Sequence, residues 1–161
     1  MGFNTLSLKG RALRLLAQRE HSRAELQTKL ARHVQEGEDL AAVLDDLEAR
    51  DFINPARVAD SVVHRRAPRL GTQRVLQELR SKGLDDALVR AAAERLKDTE
   101  LDRARGVWRR RFASPPQSLQ ERARQTRFLL ARGFGGDTVR KVLNGAPGGV
   151  DENGEDGGGL D

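Results

Sequence analysis

The sequence predicts an all-α chain, an elongated array of three tandem three-helix repeats followed by a disordered acidic C-terminal tail, and three observations point there. The chain repeats weakly at a spacing of 50: Leu79-Arg80-Ser81-Lys82-Gly83-Leu84 is answered by Leu129-Leu130-Ala131-Arg132-Gly133-Phe134, and Val89-Arg90 by Val139-Arg140. Leu26 and Leu30 stand four apart as Val75 and Leu79 do, but without the glycine, so the first copy is the most diverged. Apolar residues recur at helical spacing between cap signals, and no alternating run is long enough for a strand. The apolar payload is aliphatic, with five Phe, one Trp and no Tyr in 161 residues, which suits helix packing.

The helices follow in order. Leu8, Ala12, Leu15, Leu16 and Arg19 fall on one face of the first, leaving Arg11, Arg14 and Gln18 on another. Ser22-Arg23-Ala24-Glu25 is a capping box that opens the second, whose stripe is Leu26 and Leu30. After Gly37, Leu40, Val43, Leu44 and Leu47 define a third helix ending near Asp51. Asn54-Pro55 starts the fourth, an N-cap followed by proline at the first helical position; Ala59, Val62, Val63 and Arg66 share a face and Pro68 ends it. A fifth runs from about Gly71 to Lys82 with Val75, Leu76 and Leu79 inward, and Gly83 fits a left-handed position after its end. Asp85 caps a sixth carrying Val89, Ala92 and Leu96. In the third copy Ala104, Val107, Trp108 and Phe112 form an apolar face, and Ser114-Pro115-Pro116 forces a loop. Ser118 with Glu121 boxes a helix that runs through Arg132 and stops at Gly133. A short last helix spans roughly Asp137 to Gly145, which makes nine helices in three sets of three. The expected organisation is a flexible N-terminus over 1–7, repeats over 8–51, 52–98 and 99–144, and a Gly/acidic tail over 145–161.

Composition narrows the function classes. No stretch approaches the run of about 18 apolar residues that a membrane span needs, and no apolar segment follows a basic start, so a cytoplasmic location is expected. Cysteine is absent, which removes disulfides, thiolate ligands and a cysteine nucleophile. His21, His33 and His64 lie in separate contexts without carboxylate partners at ligand spacing, so no metal and no cofactor is expected. Glu38-Asp39 and Asp45-Asp46 read as dipole compensation and a solvated face. Gly133-Phe134-Gly135-Gly136 lacks the strand before it and the Lys-Ser/Thr after it that a phosphate loop requires. No nucleophile, base and orienting group stand out, which argues against an enzyme.

Charge is the stronger signal. The net +5 combines −1 for residues 1–51, +3 for 52–100, +8 for 101–144 and −5 for 145–161. Of 29 cations, 24 are Arg, the residue better suited to bidentate phosphate contact. Arg65, Arg66 and Arg69 lead into Arg74 around one interhelical turn, and Arg105, Arg109, Arg110, Arg124, Arg127, Arg132, Arg140 and Lys141 populate the third copy. With Arg57 and Lys82, these are the candidate nucleic-acid contacts. Without exposed aromatics between them, and with Trp108 on an apolar face, binding is expected through phosphates, with little base stacking. The near-neutral first copy is the candidate for protein contacts, through Arg11, Arg14 and Gln18.

Three stretches carry a resemblance: HSRAELQTKL, then LEARDFINPARVADSVVHRRAPRLGTQRVLQELRSKGL, and RQTRFLLARGFGGDTVRKVL. Over about residues 8–144 the chain resembles the RecX family of bacterial recombination regulators. The resemblance implies tandem three-helix repeats and a non-enzymatic protein that binds the RecA recombinase, its nucleoprotein filament and single- and double-stranded DNA. It implies restraint of recombination and of the SOS response. Pro55 stands where the family usually has an acid and Val58 where it usually has an aromatic. Two other classes fit the residues alone. One is a helix-turn-helix DNA reader using Thr72, Gln73, Arg74 and Gln77; the other is a protein-only helical adaptor. A monomer is expected.

Overall fold

A computed structural model describes residues 6–145; the acidic tail lies outside the described residues. These form eight α-helices: α1 (Leu8–Gln18), α2 (Arg23–Leu30), α3 (Leu40–Ala49), α4 (Pro55–Arg66), α5 (Thr72–Ser81), α6 (Asp86–Arg111), α7 (Leu119–Ala131) and α8 (Gly136–Asn144), with a 3₁₀ turn at Ala31–His33. No strand occurs among the described residues. The expected count of nine is corrected to eight because the sixth and seventh helices are one. Nothing between Leu96 and Ala104 stops a helix: the stretch holds no glycine, no proline and no cap. Its two apolar trios serve different cores, Val89, Ala92 and Leu96 facing the second unit and Ala104, Val107 and Trp108 the third.

Helix starts follow the chemistry of their caps. Ser7, Ser22, Asp39, Asn54, Asp85 and Ser118 each accept a hydrogen bond from the amide three residues on, and Ser22 with Glu25 closes a reciprocal box. Ser7, expected in a flexible N-terminus, is therefore part of the first helix's cap. Helix ends share one device. At Gly83 (φ 75°), Gly133 (φ 94°) and Asp51 (φ 63°) the chain turns left-handed. The next amide then bonds back to the carbonyl five residues earlier, in Leu84 to Leu79, Phe134 to Leu129 and Phe52 to Leu47. The first copy thus ends its third helix this way, and its second helix runs into the 3₁₀ turn instead.

The core is three separate clusters, one per unit. Leu8, Leu26, Leu30, Leu44 and Leu47 centre the first, Val62, Val75, Leu79 and Leu96 the second, and Trp108, Leu129, Phe134 and Val142 the third. The clusters keep to their units except that Ile53, just past the first unit's expected end at 51, packs into the first, so the units are joined largely by other means. Between the second and third, α6 is shared and two backbones touch. The amide of Gly71 donates to the Arg132 carbonyl at 2.7 Å and that of Gln73 to the Gly133 carbonyl at 3.1 Å. Helix α5 has no side-chain cap from its own N-cap residue, Gly71, and the amides at its start are met by the carbonyls of Arg132 and Gly133, the two residues that follow α7. Glu100 completes the joint, accepting from the Thr72 amide at 3.2 Å and from the Thr138 hydroxyl at 2.8 Å.

Between the first and second units the seam is ionic. Lys82 and Arg19 reach Glu25 at 3.1 and 2.7 Å, and Arg57 reaches Glu20 at 2.9 Å. Burial works against ionisation of Glu25, but bonds from Arg19, the Ser22 amide and Lys82 outweigh it and hold the carboxyl at about 2, down from 4.5.

Two predictions follow from these joints. A Cβ on Gly71 would lie 2.2 Å from the Gly133 carbonyl carbon, a backbone clash that no rotamer relieves. Gly71→Ala should cost about 3 kcal/mol or more, whereas Gly37→Ala, left-handed but in open space, should cost about 1 kcal/mol; thermal denaturation of the two variants checks the ranking. Because the folded pKa of Glu25 is depressed, its contribution is present above pH 4.5 and is lost as pH falls from 4.5 toward 2. Glu25→Gln should cost about 1–2 kcal/mol at pH 7 and flatten the acid limb of stability, read by urea unfolding across that range.

Candidate nucleic-acid interface

The turn between α4 and α5 is pinned onto α6. Arg103 donates to the carbonyls of Ala67, Leu70 and Leu96 at 3.0, 2.6 and 3.0 Å and to the Thr72 hydroxyl at 3.2 Å. Burial lowers the affinity of its guanidinium for the proton, Glu100 opposes this, and the group stays charged at neutral pH. About two helical turns further on, Arg110 donates to the Pro68 carbonyl at 2.8 Å. The sequence analysis did not nominate Arg103, since nothing in its spacing separates it from a solvated arginine.

On this platform Arg65 and Arg69 stand exposed with no side-chain partner among the described residues, and Arg109, Arg127 and Lys141 do likewise in the third unit. Arg74 donates to the Ala131 carbonyl at 2.8 Å, which brings it beside Arg132. Contacts therefore run from the 65–69 turn through Arg110 and Arg111 to Arg132 and back to Arg74. This is one basic band across two units, assembled from three segments that are distant in sequence.

Two half-buried aromatic rings, Phe112 and Phe128, lie within that band and pack against the third core. Phe112 and Phe128 meet edge to face at 5.3 Å and 86°. Arg111 lies over both rings at 5.4 and 5.7 Å, Arg132 over Phe128 at 4.9 Å and Arg124 over Phe112 at 6.0 Å. Arg111 over Phe112 and Arg132 over Phe128 are sequence neighbours, whereas Arg111 over Phe128 and Arg124 over Phe112 join distant segments. Stacking stiffens these side chains and leaves the N–H edges of the guanidinium groups free for phosphates. Trp108 is buried as expected, its Nε1 donating to Gln125 at 2.8 Å.

Other nominated cations are committed to the fold. Arg57 pairs with Glu20 and with Asp51, Arg66 with Glu78 at 3.0 Å, and Lys82, 12% exposed, with Glu25. Arg105 and Arg140 make exposed pairs with Asp102 and Asp137. The first turn of α5, nominated for reading bases, is likewise engaged: the Thr72 amide and Arg74 face protein acceptors, and Gln73 and Gln77 remain exposed. On the first unit, Arg11, Arg14 and Gln18 line one open cleft of about 620 Å³. Among the described residues no His, Asp or Glu cluster is arranged to hold a metal ion, and no helix is long and apolar enough to cross a membrane.

Comparison with known proteins places the chain. Family models described as the first, second and third three-helix domains of RecX match residues 9–47, 56–92 and 98–143. Among similar proteins, the regulatory protein RecX of Leptothrix cholodnii is 57% identical over 138 residues, covering 86% of this chain and 88% of that one. The regulatory protein RecX of Ralstonia nicotianae is 48% identical over 151 residues, covering 93% and 94%. The crystal structure of RecX from Lactobacillus salivarius shares the fold at 19% identity, with a TM-score of 0.71 over 86% of this chain and 93% of that one. Three matched domains in order, and relatives alike over nearly their whole length, show that the chain belongs to the RecX family.

Proposed function

We propose that this chain binds a RecA-type recombinase and its nucleoprotein filament together with DNA, and restrains recombination and SOS activity without catalysis. The observation that carries the reading is the basic band that runs from the α4–α5 turn over the end of α6 to the end of α7, where Arg74, Arg110, Arg111 and Arg132 are held by backbone carbonyls or aromatic rings and Arg69 stands exposed in the adjoining turn. Relatives alike over most of the chain carry the name regulatory protein RecX, which supports a regulatory role for this protein. The unevenness of charge supports a division of labour in a cytoplasmic monomer. The second and third units hold single- or double-stranded DNA by its phosphates, and the first unit, through Arg11, Arg14 and Gln18, meets the protein partner.

Recombinase-driven strand exchange with and without this chain is the direct test: inhibition or filament shortening at comparable stoichiometry is expected, and its absence rejects the proposal. Binding should weaken with salt along a log–log slope of about −5 for duplex and about −4 for single strands, as for roughly six neutralised phosphates. Removing Arg65, Arg69, Arg109 and Arg127 together by alanine substitution should flatten that slope by about 3 to 4, while Arg11→Ala with Arg14→Ala should leave it unchanged. Equal losses of DNA affinity from the two sets, measured by fluorescence anisotropy, would contradict the division.

A further inference from the structure

The first unit segregates its charges in a way its net charge hides. Its acids are occupied elsewhere: Asp45, Asp46 and Glu48 pair with Arg23, Lys9 and Arg50, while Glu20 and Glu25 serve the seam to the second unit. The cleft between α1 and α2 receives the rest. Arg11, Arg14, Lys29 and Arg32 line it, no carboxylate does among the described residues, and the three arginines make no ion pair there. Burial, then Arg11 and Arg32, push the His33 imidazole below its usual range, so it is neutral at pH 7 and accepts from Arg32 Nε at 3.3 Å. The positive charge of the cleft therefore rests on permanent cations and does not vary near neutral pH.

Beneath these cations the surface is apolar. Half-buried Leu15 lines the cleft over the core residue Leu30, and Leu6, 44% exposed, stands at its mouth. A second depression of about 260 Å³ shares Leu6, Arg11, Arg32 and His33 and adds Val34, 38% exposed, and one carboxylate, Glu38, which accepts from the Gln35 amide at 2.8 Å. Of the five exposed large hydrophobic residues among those described, Leu6 borders both hollows and Val34 the second. No buried side-chain donor or acceptor is left unpartnered among the described residues, so the cleft has no preformed polar socket of the kind that orients a small molecule. A sugar-phosphate backbone would meet the cations but leave the leucines without a counterpart.

We propose that this cleft docks an acidic peptide segment of a protein partner, carboxylates on Arg11, Arg14 and Arg32 and a leucine- or phenylalanine-sized side chain over Leu6 and Leu15. The proposal rests on the reading that the first unit faces the partner, and it names the chemistry of the surface that unit meets. Opposite charge aligns the segment and the apolar side chain gives register, a combination that separates it from nonspecific attraction to a basic protein.

The test uses the full chain and a fluorescein-labelled synthetic peptide of about twelve residues, half of them Asp or Glu, with one central leucine. Binding is followed by anisotropy at about 0.15 M salt, where long-range attraction is screened. The expected result is saturable binding, weakened at least about tenfold by Arg11→Glu with Arg14→Glu, weakened similarly when the peptide leucine becomes serine, and unchanged by Arg65→Glu with Arg69→Glu. No binding by the unaltered chain overturns the proposal, as does equal loss from both charge-reversed pairs. A gain of about tenfold on deleting residues 146–161 makes the chain's own acidic tail the occupant and overturns the partner assignment. Displacement by an unstructured dT oligonucleotide that persists in the Arg65→Glu, Arg69→Glu variant makes the cleft a phosphate site and overturns it too. Failure of the peptide to bind, with strand exchange still inhibited, removes this inference alone and leaves the broader function in place.

Discussion

The architecture depends on one junction, where the carbonyls of Arg132 and Gly133, just past α7, face the amides of Gly71 and Gln73 at the start of α5. Each helix end would otherwise present unpaired backbone groups to solvent or seek a side-chain cap, and α5 has none. Joined end to end, they satisfy each other at 2.7 and 3.1 Å, and the opposed partial charges of the helix termini add to the attraction. Two glycines let the backbones come that close. The same approach fixes where Arg74 and Arg132 lie, and with Arg103 and Arg110 holding the neighbouring turn, it fixes the whole basic band.

The two joints of the chain differ in kind. The second and third units share a helix and a backbone-to-backbone contact, neither of which depends on salt to first order. The first and second share Glu25, Lys82, Arg19, Arg57 and Glu20, several of them half-exposed. Exposed ion pairs contribute little each, while Lys82 and Glu25, well shielded from water, contribute more. Arg57 and Lys82 thus spend on the fold the charge that would otherwise face DNA.

Much of this was legible in the sequence because it is local. The Ser22–Glu25 and Ser118–Glu121 boxes, Asn54-Pro55, and the glycines at 83 and 133 act within a few residues, and the helices begin and end where those signals stand. What escaped is non-local or silent. The continuity of α6 shows only as a lack of punctuation between 97 and 103, which is easily read as an unmarked break between repeats. Asp51 takes the left-handed turn that glycine takes elsewhere, so the residue type concealed the match. The pairing of Arg57 with Glu20, the stacking of Arg111 on Phe128 and the anchoring role of Arg103 each join residues many positions apart. Arginine looks the same in a sequence whether it holds a carbonyl or waits for a phosphate.

The uninterrupted α6 has a consequence for how the chain comes apart. At about 1.5 Å per residue, its 26 residues make a rod near 39 Å long, one end embedded in the second cluster and the other in the third. Fraying anywhere along it strips contacts from both clusters at once. In a repeat protein, cooperativity is set by the coupling between neighbours, and here that coupling is a covalent helix on one side and an ionic seam on the other. Units two and three therefore melt as a single block, while unit one is thermodynamically the loosest part and the first to exchange its amides. A chain built of three similar modules behaves, in its fluctuations, as two.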